Sequence, residues 1–397
     1  MKKIYLSAPA LVCCAGKNRN ELYESCLNGF QGGLVMRALP GHGEGLFPVG
    51  LIDEELLAKY AGNAKIIRVI NAALEQLRPA IEKAVCAYGP EKVGVCFGTC
   101  DNGSEASLMA HNALFAKNAF PEDYDLRFQS ASFPVEFISR TFGLCGPGFT
   151  IATACSSGAS AIARGAELIR SGFCDAVIAG GADIVSPTVF AGFHALEAIS
   201  DSLTNPFSKN RKGINLGEGA AFFLLDADEN SGVELLGAGE SADAHHITAP
   251  GPDGAGPASA MRSALKNAGI TGEQIDYVNL HGTGTELNDR AESLAMQTVF
   301  GGAYPPSPPV SSTKPITGHT LGAAGALEAA ICWMALTEQR GLPVHCWDGV
   351  QDEEIPFFPA HESDQQTPAI CMSNSFGFGG CNVSLILGRG PSSWRAQ

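Results

Sequence analysis

The sequence predicts an α/β protein with largely buried sheets, and three observations point that way. Apolar strand-like runs alternate with helical patterns along the whole chain. The 397 residues are 45% hydrophobic, ample for one large core or two fused halves. Glycine, at 47 residues, suits many tight strand-to-helix turns, and neither a tandem repeat nor a low-complexity tract interrupts the pattern. In order, Ile4 to Val12 reads as a first strand. A helix from Asn63 to Leu77 turns Ile66, Ile70, Ala73 and Leu77 inward and sets Lys65 and Arg68 on one face. Strands follow at Val93–Thr99, Phe149–Ala154, Ala176–Asp183 and Ala220–Asp226. The polar run Asp226–Gly232 is the best internal boundary, giving halves 1–229 and 230–397. Beyond it, strands are expected at Val233–Gly239, Tyr277–His281, Val310–Thr313, Ile370–Asn374 and Asn382–Leu387.

Composition excludes several function classes. No run of about 18 uncharged apolar residues appears, so no membrane span is expected. The basic start Met1-Lys2-Lys3 precedes an apolar stretch too short and broken for a signal peptide. Thirteen scattered cysteines, an odd number and many inside apolar strands, match thiol usage in a reducing cytoplasm. A net charge of −15 with no Lys/Arg-rich stretch argues against nucleic-acid binding.

Three motifs carry chemistry. In Thr153-Ala154-Cys155-Ser156-Ser157-Gly158 one thiol sits where an apolar strand, expected to be buried, meets a helix. That helix, Ser157 to Ser171, lines up Ala159, Ile162, Ala166 and Ile169 on one face. A cysteine there lies at the positive end of the helix dipole, which favours thiolate and prepares a nucleophile, although a buried core cysteine would show the same residues. The second motif is Asn279-Leu280-His281-Gly282-Thr283-Gly284-Thr285, and the third runs from Lys314 through His319 to Gly325 into an Ala-rich helix. Each histidine ends a strand at a glycine-rich turn, where side chains are displayed into clefts. Metal binding is the rival reading, but neither motif offers closely spaced ligands, so no transition metal is expected.

The order of these motifs resembles the β-ketoacyl-[acyl-carrier-protein] synthases of the type I/II branch. Two further stretches support it: Asn205-Pro206-Phe207-Ser208-Lys209-Asn210-Arg211-Lys212-Gly213, leading into Leu216-Gly217-Glu218-Gly219, and Asn374-Ser375-Phe376-Gly377-Phe378-Gly379-Gly380. The resemblance spans Ile4 to Leu387 and implies a thiolase-like, five-layered αβαβα fold of two similar halves. It implies that Cys155 takes an acyl group from a carrier-protein thioester and condenses it, with loss of carbon dioxide, with malonyl-carrier protein. His281 and His319 would stabilise the enolate, and backbone N–H groups of Cys155 and Phe378 the tetrahedral oxyanion. Phe378 would also gate the acyl tunnel. Lys314 would pair with Glu292 and order the histidines. Thr283 and Thr285 would hold the phosphopantetheine arm, a role that plain turn residues would not need. No cofactor is required beyond that arm, which arrives on the carrier. Asn279, Glu328, Ser373 and Asn374 would surround a structural monovalent cation, or else form an ordinary hydrogen-bond network. The partner would be an acidic acyl carrier protein, received by Lys65 and Arg68 unless these form only a solvated helix face. The assembly would be a homodimer or a heterodimer with a related subunit.

Two departures bear on substrate. Ile214 stands where the family commonly has Phe, and the loop from Gly98 to Gly103 carries Asp101 and Asn102 where a tunnel wall is often apolar. Both put a long saturated chain in doubt and leave fatty-acid elongation open beside a polyketide or aryl-polyene pathway. A non-catalytic chain-length-factor subunit is opposed by the presence of Cys155, His281 and His319. A thiolase acting on acyl-CoA is opposed by the His281, His319 and Lys314 set.

Overall fold

The computed structural model describes residues 2–38, 45–62, 64–101, 103–228, 232–301, 308–356 and 367–389. The first half contains β1 (Tyr5–Leu6), β2 (Ala10–Cys13), α1 (Arg19–Asn28), β3 (Leu34–Ala38), β4 (Leu46–Gly50), α2 (Glu54–Leu57), α3 (Lys65–Tyr88) and β5 (Val93–Gly98). It continues with α4 (Ser104–Lys117), α5 (Phe133–Phe142), β6 (Gly148–Ile151), α6 (Ser157–Arg170), β7 (Ala176–Asp183), α7 (Pro187–Ala195) and β8 (Gly219–Asp226). The second contains β9 (Val233–Ala242), α8 (Ala255–Ala268), β10 (Tyr277–Asn279), α9 (Glu286–Phe300), β11 (Val310–Ser311), α10 (Lys314–Thr317), α11 (Ala324–Thr337), β12 (Ile370–Gly377) and β13 (Cys381–Arg389).

Two five-strand stretches repeat one plan. The order β6-β5-β7-β8-β2 has its first three strands parallel and the next two antiparallel, and β11-β10-β12-β13-β9 has the same order and directions. Strand β1 joins them, pairing Tyr5 with Asp226 of β8 and with Glu234 of β9. Helices α6 and α11 lie between the two stretches, α3 and α5 cover the outside of the first, and α8 and α9 the outside of the second. That makes five layers. Every residue from Ala324 to Leu336 in α11 is buried, as a helix covered on all sides requires. The two central helices approach through small residues. A Cβ on Gly158 would stand 2.9 Å from the Ala326 nitrogen, and one on Gly325 2.9 Å from the Ala159 nitrogen.

Three expected elements differ. The Ile4–Val12 strand divides into β1 and β2, and both pair with β8. Strand β6 is not buried: among the described residues it is an edge strand paired with β5 alone, and Phe149 is half exposed. An apolar run reads alike in an edge and a central position, so its composition could not decide. Helix α3 runs past Leu77 to Tyr88, through Pro79.

Candidate active site

Cys155 sits in a tight turn between β6 and α6, where Ala154 takes a left-handed φ of 53°. The turn is closed locally: Ser156 Oγ donates to the Thr153 carbonyl at 2.7 Å, and the Thr153 N–H donates to Ser157 Oγ at 2.9 Å. The end of β12 presses on it. A Cβ on Gly377 would lie 2.7 Å from the Thr153 carbonyl, so only glycine admits that approach. The approach brings the Phe378 N–H to face the Cys155 sulfur, beside the N–H of Cys155 itself.

His319 is held by its backbone. Its N–H donates to the Asn215 carbonyl at 2.7 Å, and its own carbonyl accepts from Gly217 at 3.0 Å. The Leu321 N–H donates to His319 Nδ1 at 3.2 Å, which leaves the ring proton on Nε2, 3.0 Å from Cys155 Sγ. His281 reaches the same tautomer by another route. The Lys314 ammonium lies 3.3 Å from His281 Nδ1 and also donates to the His281 carbonyl and to Glu328. Its three protons are thereby used, and His281 Nε2 carries the hydrogen. The two imidazoles are in edge-to-face contact, with ring centres 5.4 Å apart. Burial, with the Lys314 charge behind it, holds both well below the ordinary histidine range, so both are neutral donors at neutral pH.

Two expectations are corrected. Lys314 pairs with Glu328, not Glu292. Glu292 instead accepts the backbone N–H groups of His281 at 2.8 Å and Gly282 at 2.7 Å, fixing the turn that carries the imidazole. Nor is Cys155 a resting thiolate. Burial pushes its thiol up to about 11, against the opposing pull of Lys314 and the amides of Phe378 and Cys155.

A cavity of about 400 Å³ opens over the sulfur, lined by Cys155, His281, His319, Thr283, Thr285 and Phe378 among others. Thr283 and Thr285 share a 2.8 Å hydroxyl contact. Ile214 is in the wall, and the Phe193 ring stands 5.6 Å from Phe378. The sequence reading missed Phe193 and the loop after β9. From that loop Asp243 accepts from Asn382 Nδ2 at 2.6 Å, and the Ile247 carbonyl accepts from the Gly379 N–H at 2.8 Å. The run Asp243-Ala244-His245-His246 after an apolar strand was the available signal.

Asp101 is not in that cavity wall. Its Oδ1 accepts from the Ser104 N–H at 2.8 Å, at the start of α4. Asn102 lies outside the described residues. Lys65 is not an unpaired surface cation: it bridges Glu54 and the buried Glu218, and Arg68 pairs with Glu54. Of the four residues assigned to a cation, Asn374 is engaged, accepting from Ser384 at 2.8 Å. Asn279 Oδ1, Glu328 Oε2 and Ser373 Oγ are buried and have no hydrogen-bond partner among the described residues. Spacing along the chain understated the metal alternative, since donor atoms of Cys155, His281 and His319 lie within 4.8 Å of one another. The Lys314 ammonium against His281 opposes a second positive charge there. No helix among the described residues is long and apolar enough to cross a membrane.

A cysteine thiol facing two neutral N–H donors, in the seam of a doubled α/β plan, defines a thiolase-like acyltransferase. Comparison with known proteins narrows that class. Residues 59–231 match the beta-ketoacyl synthase N-terminal domain and residues 233–345 its C-terminal domain. The chain is 38% identical to 3-oxoacyl-[acyl-carrier-protein] synthase 2 of Vibrio cholerae over 317 residues, 75% of this chain and 76% of that one. It is 40% identical to nodulation protein E of Rhizobium meliloti, covering 91% and 89%. The structure of the ketosynthase ApeO in complex with its chain length factor ApeC, from Xenorhabdus doucetiae, superposes with a TM-score of 0.89 at 36% identity, covering 98% of each chain. This chain belongs to the β-ketoacyl synthase family of condensing enzymes.

Proposed function

We propose that the chain joins an acyl group held on Cys155 to malonyl-[acyl-carrier-protein], giving 3-oxoacyl-carrier protein, carbon dioxide and free carrier. The 3.0 Å approach of His319 Nε2 to Cys155 Sγ, with His281 alongside in the same tautomer, carries this reading. In the first step the Cys155 sulfur attacks the acyl thioester. The bond to the pantetheine sulfur breaks, and the thiol proton passes to that leaving group, so no resting thiolate is needed. In the second step loss of carbon dioxide leaves negative charge on the malonyl thioester oxygen, which His281 and His319 meet with fixed N–H groups. The resulting carbanion attacks the acyl-Cys155 carbonyl, and the N–H groups of Cys155 and Phe378 receive the oxyanion. Its collapse breaks the bond to the Cys155 sulfur, frees the 3-oxoacyl product and leaves a thiolate that takes a proton from water. Lys314 and Glu292 set the orientation of His281, while Thr283 and Thr285 guide the phosphopantetheine arm through the cavity mouth.

The carrier protein is the partner, and the working unit is a dimer, with a second copy or with a chain-length-factor-like subunit. The halves 1–229 and 230–397 are taken as two copies of one unit, which the repeated strand order and the two matched segments support. A monovalent cation fits the three orphaned oxygens of Asn279, Glu328 and Ser373, since buried oxygens without partners are costly. It would neutralise the outer side of Glu328, and a melting temperature higher in potassium than in choline at equal ionic strength tests it. Intact mass spectrometry with a panel of saturated, polyenoic and aromatic acyl-carrier proteins tests the reaction and reads the pathway. One acyl group is expected on Cys155 and none on Cys155→Ala; an acyl adduct on another cysteine would remove the assignment.

A further inference from the structure

The turn that carries the nucleophile has a double. Thr153-Ala154-Cys155-Ser156-Ser157-Gly158-Ala159 in the first half corresponds to Thr320-Leu321-Gly322-Ala323-Ala324-Gly325-Ala326 in the second. Ala154 and Leu321, neither a glycine, adopt φ of 53° and 54°, and each turn leads directly into a central helix. Gly322 thus stands where Cys155 stands in the first turn. The Cys155 N–H faces the catalytic sulfur, whereas the Gly322 N–H donates to Asp183 Oδ2 at 2.6 Å.

Asp183, at the end of β7, is fully buried and receives three further donors. The Cys100 N–H reaches Oδ2 at 2.8 Å, and the Asp101 N–H and the Thr99 hydroxyl reach Oδ1 at 3.0 and 2.6 Å. This one carboxylate therefore ties the loop after β5 in the first half to the turn before α11 in the second. That turn sets the His319 tautomer, because the Leu321 N–H, one residue before Gly322, is the donor to His319 Nδ1. A left-handed Leu321 is intrinsically unfavourable and keeps its geometry only when neighbouring contacts impose it.

We propose that Asp183 is a positioning residue for His319: by holding the Gly322 N–H it fixes the Thr320–Gly322 turn, and so aims the Nε2–H at the reacting thioester. The carboxylate occupies the place that a reacting oxyanion takes at the first turn, which makes the second turn rigid instead of catalytic. Asparagine cannot replace it, because both oxygens accept backbone N–H groups and an amide nitrogen would face one of them. The proposal rests on the assignment of decarboxylation to the two histidines.

The test measures carbon dioxide release from malonyl-carrier protein and acyl loading of Cys155 separately, with melting temperature, in Asp183→Asn. Gly322→Ala disturbs the same junction from the other side, since its Cβ would meet Asp183 Oδ2 at 2.6 Å and the Thr99 and Cys100 backbone at 2.7 Å. Glu234→Gln is the control: Glu234 is another buried carboxylate, pairing with Lys3 at 2.8 Å where β9 meets β1, away from this turn. In both test variants decarboxylation should fall about tenfold or more, and loading by less than about threefold, within the range of a misdirected donor. The control should lose stability with the ratio of the two steps unchanged. Parallel loss of both steps in whichever test variant folds, or no change in either, would overturn the proposal. His319→Ala in the same assays separates the two failures: if it too spares decarboxylation, the histidine assignment is wrong, not only Asp183's part in it.

Discussion

The two turns that open the central helices share a backbone and differ in chemistry. At the first, the positive-φ residue is Ala154, and the cysteine that follows lines the cavity. At the second, the positive-φ residue is Leu321, a glycine follows, and its amide is closed off by a buried aspartate. The second turn supplies orientation instead of a nucleophile, and the histidine it orients reaches back to the cysteine of the first. In the proposed reaction the thiol would come from the first half and the charge-stabilising donors from the second. The Lys314–Glu328 pair lies wholly within the second half.

The comparison can be broken first at Lys65. Lys65→Glu would put a third carboxylate beside Glu218 and Glu54, and breaking a buried pair of this kind costs about 3–5 kcal/mol. Denaturant unfolding should show that loss, and turnover of small pantetheine thioesters should fall with that of carrier substrates. Arg68→Glu should instead raise KM for carrier substrates alone by about two- to fivefold, the worth of an exposed ion pair. Equal behaviour of the two variants would return Lys65 to the docking surface.

A second experiment sharpens the first turn. Because burial holds the Cys155 thiol near 11, its alkylation by iodoacetamide should rise about tenfold per pH unit from 7 through 9 without levelling. A plateau near neutral pH would restore the dipole-stabilised thiolate that the local sequence suggests.

Much of this was legible in the residues because it depends on local pattern. The strands before Cys155 and His281 and the Ser157 helix follow from apolar runs that end in small residues, whereas His319 follows the short helix α10 instead of the expected strand. What was illegible depends on distance and burial. Glu292 and Glu328 are both buried acids, and only the fold shows that Glu328 faces Lys314 while Glu292 caps the His281 turn. The raised Cys155 thiol has the same cause, since the sequence displays the helix dipole but not the desolvation that outweighs it. Nor does the sequence around Asp101 show that one of its oxygens accepts the Ser104 N–H at the start of α4. The doubling of the turns was printed in the sequence, but with cysteine against glycine at the central position only the shared left-handed φ makes the match apparent.

The central claim is the division of labour, and carbon dioxide release measured beside acyl loading in His281→Ala and His319→Ala tests it most directly. Each variant should lose roughly 10²–10³-fold in decarboxylation, the cost of one oxyanion donor, while Cys155 still loads at a rate within about tenfold of the parent. Loading that falls as far as decarboxylation would contradict the account, because the histidines would then serve the thiol and not the malonyl group.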